Sequence, residues 1–205
     1  MLDISDLECV RGNRTIFRDV SFAVRPGDCF RLTGPNGSGK TSLLRMLCGL
    51  LPPAHGTICW MGTNIHKLDE DYFSEMTYIG HRHGVKDELT ALENLRVSCG
   101  LSGIEISRQS AVSALARMRL EDRIDTPARL LSEGQRRRVA LARLLVRRTS
   151  LWLLDEVMTS LDTEAVQLVQ WMIEEHLSVG GMAVVATHQE LTLSEGRLQR
   201  IELAA

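Results

Sequence analysis

Along this 205-residue chain the spacing of apolar and polar positions switches repeatedly between a strand-like and a helix-like period. Residues 16–24, 29–33, 57–61, 76–80, 151–154, 182–186 and 198–203 read as strands. Between them the period lengthens. Residues 40–49 predict a helix ending on a glycine, and 91–95 and 111–120 predict two more, separated by the turn-prone pair Ser102-Gly103. A further helix runs through Val139, Leu141, Leu144 and Leu145. Strands separated by helical stretches predict an α/β fold with a largely parallel sheet, here with an antiparallel β layer at the N-terminus. Residues 90–130 read as a helical subdomain inserted between core segments 1–89 and 131–205. With no repeat, low-complexity tract or linker, the expectation is one domain over residues 1–205.

Composition narrows the function classes. The 24 basic and 26 acidic residues give a formal charge of −2, so no global field favours nucleic acid or an anionic membrane. The opening residues Met1 to Asp6 carry neither a basic nor an apolar leader pattern. No apolar run approaches the roughly 20 residues that cross a bilayer. A soluble, cytosolic chain is expected, without a regulatory domain after His188. Cys9, Cys29, Cys48, Cys59 and Cys99 are scattered and odd in number, which predicts buried, reduced thiols rather than disulfides or a zinc site.

Chemistry enters at Gly34-Pro35-Asn36-Gly37-Ser38-Gly39-Lys40-Thr41-Ser42, a complete phosphate loop between a predicted strand and a predicted helix. Its glycines leave backbone N–H groups free to surround phosphate oxygens, and the helix N-terminus adds positive potential. Lys40 supplies a point charge for the β and γ phosphates. Thr41 supplies a hydroxyl for Mg²⁺. ATP binding and hydrolysis follow as expectations, with Mg²⁺ accompanying the substrate.

Asp155 and Glu156 close the apolar run 151–154. An acid at that point can hold Mg²⁺, and its neighbour can polarise the attacking water; the alternative is a strand end carrying two solvated carboxylates. Ser132 and Gln135 have the spacing of a capping box. Glu133 and Gly134 lie between them, and a capped helix start is also an anion site, so both readings stand together. Arg136-Arg137-Arg138 invites a nucleic-acid reading, but on the helix that follows, part of this run is expected to be a solvated face, and no nucleic-acid partner is expected.

In combination these motifs resemble those of ATP-binding-cassette (ABC) proteins. Leu131-Ser132-Glu133-Gly134-Gln135 is similar to the family signature L-S-G-G-Q, with glutamate in place of one glycine, and Thr159-Ser160-Leu161-Asp162 is similar to the D-loop. The resemblance implies a P-loop NTPase core and an ATP-sandwich homodimer, in which Ser132, Glu133, Gly134 and Gln135 face the ATP of the second copy. It implies Glu156 as general base, His188 as the residue contacting the γ-phosphate, and Thr41 with Asp155 as Mg²⁺ ligands.

Two positions depart from the family pattern. His81 stands where a glutamine is usual, and imidazole is a poor ligand for Mg²⁺. It is expected to hydrogen-bond the metal's water shell or a membrane partner. His81-Arg82-His83 also permits a metal or haem reading, but two histidines define no site, and no bound haem is expected. Arg11 precedes Gly12 where the family places an aromatic ring on adenine. A guanidinium can stack there too, or stand solvated at a turn.

Leu7-Glu8-Cys9, Gly80-His81, Glu88 to Leu95 and Leu131 to Arg136 further resemble the ATP-binding subunits of bacterial cytochrome c maturation transporters. That implies a peripheral position on the cytoplasmic face of the inner membrane, a CcmB-like permease with CcmC- and CcmD-like proteins, and work coupled to the haem chaperone CcmE. Another small ABC exporter and a soluble, non-transport cassette are the alternatives.

Overall fold

The computed structural model describes residues 1–68, 70–194 and 196–204. The chain divides into two compact units. The first contains Met1–Tyr78, Thr149–Glu156 and Gln170–Ala205; the second contains Ile79–Arg148 and Val157–Val169. The helical region is therefore wider than the expected 90–130 span, because it takes in the chain after the sixth strand, the signature helix and the D-loop segment.

In the first unit, β1 (Leu2–Arg11) and β2 (Arg14–Val24) form an antiparallel hairpin. β3 (Cys29–Thr33) leads into the phosphate loop and α1 (Lys40–Leu47). β4 (His55–Trp60) and the two-residue β5 (Thr63–Asn64) complete a four-stranded sheet in the order β2-β1-β4-β5. A short α2 (Glu70–Ser74) precedes β6 (Met76–Ile79).

The second sheet has the order β6-β7-β8-β3-β9, with β7 over Leu151–Asp155, β8 over Met182–Ala186 and β9 over Leu198–Glu202. Its pairings β7–β8, β8–β3 and β3–β9 are parallel. Every residue of β7 and β8 is buried, the pattern of strands covered on both faces. Leu2, Ile4, Phe17, Phe30, Leu32, Leu44, Leu153 and Val184 belong to one apolar core joining the inner faces of both sheets and α1.

β1 is a strand that the spacing of apolar residues does not announce. Its buried residues are Leu2 and Ile4, then Leu7 and Cys9, so the alternation changes phase in the middle. The cause is a bulge, with Asp6 at φ 51 and a register shift between Ile4 and Leu7. Asp6 accepts a hydrogen bond from the Ser21 hydroxyl at 3.0 Å.

In the second unit, α3 (Ala91–Gly100), α4 (Arg108–Arg117) and α5 (Glu133–Val146) pack on one another. α3 begins with a reciprocal capping box between Thr90 and Glu93. α6 (Thr163–Ser178) belongs to this unit through Val169 and to the first unit from Gln170. Among the described residues no helix is long and apolar enough to cross a membrane. All five cysteines are free; four are buried as expected, while Cys59 is only half-buried because it lies on β4.

Candidate functional site

Within the first unit, the phosphate loop is shaped by backbone that only glycine adopts cheaply. Gly34 lies at φ 138, and a Cβ there would stand 2.4 Å from the Leu203 carbonyl oxygen. Gly39 caps α1 at φ 101. Lys40 is buried, and its ammonium donates to the carbonyls of Gly34 at 2.8 Å and Pro35 at 3.1 Å. Ser38 and Ser42 are buried beside it, and the Ser38 hydroxyl has no hydrogen-bond partner among the described residues. Pro35, Asn36 and Gly37 form the outer rim of the loop.

Parallel strands deliver the remaining groups to the same end of the sheet. Asp155 ends β7, pairing in register with Ala186, the last residue of β8. Thr41 donates its hydroxyl to Asp155 Oδ1 at 3.2 Å. Asp155 Oδ2 is buried and has no hydrogen-bond partner among the described residues. A threonine hydroxyl beside a buried carboxylate oxygen with unused lone pairs is a hard-oxygen donor set, and it fits Mg²⁺. Burial raises the Tyr78 phenol to about 12, with the charge of Asp155 adding to the effect.

Glu156 turns sharply out of the strand. Its φ is 53, a left-handed conformation rarely adopted by a residue with a long side chain, and its N–H donates to the Ala186 carbonyl at 2.9 Å. Its Oε1 lies 3.6 Å from His188 Nε2. His188 follows Thr187, whose N–H donates to the Leu32 carbonyl at 3.4 Å and whose hydroxyl accepts from the Gln189 N–H at 3.1 Å. Lys40, Thr41, Asp155, Glu156 and His188 thus come from three strand or helix ends of one unit.

The second unit holds the signature and D-loop residues. Ser132 is the N-cap of α5, and the capping box is reciprocal: Ser132 N–H donates to Gln135 Oε1 at 2.9 Å and Gln135 N–H to Ser132 Oγ at 3.2 Å. Gly134 is needed for close approach, since a Cβ there would stand 2.9 Å from the Ser160 carbonyl oxygen. Ser160 has φ 64. Leu161 N–H donates to the Met158 carbonyl at 3.3 Å, and Asp162 caps α6 by accepting from Ala165 N–H at 2.8 Å while pairing with Arg138.

The arginine run departs from expectation. Arg137 is buried, Arg136 bridges to Asp87 at 3.0 Å and donates to the carbonyls of Leu131 and Arg129, and Arg138 is held by Asp162. None of the three stands on a solvated face: Arg137 is buried outright, and the acidic partners Asp87 and Asp162 draw Arg136 and Arg138 in against the protein. His81 is exposed. Arg11 is exposed at the hairpin end of β1, opposite Arg14.

Two features went unread in the sequence. His83 Nε2 lies 3.2 Å from Glu133 Oε1, while its Nδ1 accepts from the Val85 N–H at 3.4 Å. This arrangement uses both nitrogens of a neutral ring. Burial holds the His83 pKa below its usual value; Glu133 opposes that shift and Arg137 adds to it. The second feature is Arg31, which donates to the His188 carbonyl at 3.2 Å. Its only sequence signal was a charge inside an otherwise apolar strand.

Residues 17–159 match the family described as ABC transporter. The cytochrome c biogenesis ATP-binding export protein CcmA of Nitrosomonas europaea is 53% identical over 204 residues, which cover 100% of this chain and 96% of that protein. The protein of the same name from Nitrosospira multiformis is 56% identical over 198 residues, covering 97% of this chain and 96% of that protein. In fold, the chain is similar to a dimeric bacterial ABC transporter cassette, with TM-score 0.85 and 22% identity over 100% of this chain and 94% of the other. A phosphate loop, a strand-end acid pair and a capped signature helix, on a chain matched end to end by these relatives, lead to one conclusion: it belongs to the ABC transporter family, among the cytochrome c biogenesis ATP-binding export proteins.

Proposed function

We propose that this chain is the ATP-hydrolysing subunit of a membrane ABC complex that handles haem during cytochrome c maturation and drives release of the haem-loaded chaperone. The observation carrying the catalytic part is the pairing of Glu156 with His188 beside the partly buried Thr41–Asp155 contact. The names of the relatives support the cytochrome c part.

Residues 34–42 bind the triphosphate, with Lys40 on the β and γ phosphates, and Arg11 offers its guanidinium plane to the base. Thr41 and Asp155 would hold Mg²⁺, which when bound neutralises phosphate charge in the transition state. A water oxygen attacks the γ-phosphorus, its proton passes to Glu156, and the bond to the ADP oxygen breaks. His188 orients that water and the γ-phosphate.

The whole chain works as one nucleotide-binding domain and pairs with a second copy. In that pair, Ser132, Glu133, Gly134 and Gln135 of one copy close over the ATP of the other, while Ser160, Leu161 and Asp162 line the interface. A dimeric cassette of the same fold supports the pairing. The chain docks on the cytoplasmic face of the bacterial inner membrane against a CcmB-like permease, with CcmC- and CcmD-like proteins nearby and CcmE as the haem chaperone served. His81, exposed after β6, meets the metal's water shell or the permease.

Glu156→Gln provides the test, since it retains ATP but stops turnover. Purified from solubilised membranes with ATP, the tagged variant is expected to bring down the cytochrome c maturation membrane proteins and the haem chaperone. Recovery of a different permease would discard the haem reading and keep the ATPase; soluble partners alone would discard the transporter reading.

A further inference from the structure

Arg31 is the sole charged residue of β3, the strand between β8 and β9 in the parallel sheet. It stands in register with Val185 and Arg200 and is only 8% exposed. Phe30 and Leu32 enter the apolar core, so strand alternation turns Arg31 to the opposite face. Burying a guanidinium sacrifices hydration, and an apolar residue of similar volume is often at least as stable in such a place. Its Nε is buried with no hydrogen-bond partner among the described residues, which adds to that cost. What the residue provides in return is the bond from Nη2 to the His188 carbonyl.

We infer that Arg31 is a positioning residue for ATP hydrolysis, anchoring the peptide of His188 from within the sheet so that its imidazole stays opposite Glu156. The inference rests on the proposed roles of Glu156 and His188. Glu156 is already referenced to the sheet through its N–H bond to Ala186. In the segment after β8, the Thr187 N–H donates to the Leu32 carbonyl at 3.4 Å, the Gln189 N–H to Thr187 Oγ1 in a local turn, and Gln170 Nε2 of α6 to the Glu190 carbonyl at 3.0 Å, while the His188 carbonyl accepts from Arg31. Removing Arg31 releases the His188 carbonyl from β3, and the 3.6 Å approach to Glu156 loses that support.

The test compares Arg31→Met, Arg31→Gln and Arg31→Lys in the full chain, alone and combined with His188→Ala, measuring kcat, ATP affinity and thermal unfolding. Arg31→Met is expected to lower kcat on the order of 10- to 100-fold, as misplacement of a reacting group does, while ATP affinity stays within about twofold. Its Tm should equal or exceed that of the parent chain. Arg31→Lys should recover part of the rate, and Arg31→Met should slow His188→Ala no further. Losses that multiply with His188→Ala, or a kcat for Arg31→Met within about twofold of the parent, would overturn the inference. So would rate losses that merely track a falling Tm across the three variants. Should Arg31→Met fail to fold, the glutamine and lysine variants carry the same comparison. An undiminished rate in His188→Ala itself would overturn the catalytic reading, and this inference with it.

Discussion

Asp155 and Glu156 stand at the end of a strand buried on both faces, whereas Ser132, Glu133 and Gly134 stand at a helix start braced by His83, Arg136, Arg138 and their acidic partners. The first group owes its position to backbone bonds within a parallel sheet. The second owes its position to side-chain pairs that are partly open to water. Backbone geometry in a dry sheet tolerates little adjustment, while charged pairs at a surface are individually weak and respond to pH and salt. The phosphate half should therefore fail abruptly when altered, and the signature half by degrees.

The largest expected effect is in the phosphate half. Glu156→Gln should reduce turnover about 10²- to 10⁴-fold, the range for loss of a general base, with ATP affinity retained; phosphate release and nucleotide titration check both. A loss of less than tenfold would place the base elsewhere.

Next comes a matched pair of glycine changes read by denaturant unfolding. In Gly34→Ala the new methyl meets a backbone oxygen 2.4 Å away at φ 138, so the cost should reach about 3 kcal/mol or more. Gly134→Ala meets the Ser160 carbonyl at 2.9 Å with helical backbone, and about 1 kcal/mol is expected. Equal costs would erase the distinction between the halves. Ser132→Ala removes an N-cap and should also destabilise by about 1 kcal/mol, while Ser132→Asn should restore most of it.

The smallest effect is a dependence on pH. Burial depresses the pKa of both His83 in the signature half and His176 in the sheet half, where His176 stacks on Trp152 with ring centroids 3.9 Å apart. A histidine with a depressed folded-state value binds its proton more readily when unfolded. The stability linked to it is therefore full above the unfolded value of about 6.5 and is lost as pH falls from there through the folded value. Glu133→Gln removes the charge that offsets burial at His83, so its titration seen by NMR should move lower, while that of His176 stays fixed. Parallel movement of both would show that the two halves are not independent.

Legibility in the sequence divided along similar lines. β3 and β8 are legible to the residue, since strands buried on both faces are mostly apolar runs, with Arg31 the charged exception in β3. The capping box at Ser132 was equally plain, because its two partners lie three residues apart. β1 is hidden from the apolar pattern because one bulge at Asp6 inverts its alternation. The fate of the arginine run also escaped, since Asp87 and Asp162, which take up Arg136 and Arg138, are distant in sequence.

By itself, then, the sequence determined what depends on neighbours along the chain: the phosphate loop, the carboxylate pair closing an apolar strand, the capped signature helix and the family they indicate. Tertiary structure alone decided what depends on pairing across the chain. It brought Glu156 to His188, Thr41 to Asp155, Glu133 to His83 and Arg31 to the His188 carbonyl. Local motifs are set by dihedral preference and short-range hydrogen bonds, whereas these contacts arise only when segments far apart in sequence are packed together, by strands pairing in one register in the sheet and by a loop meeting the start of α5 at Glu133 and His83.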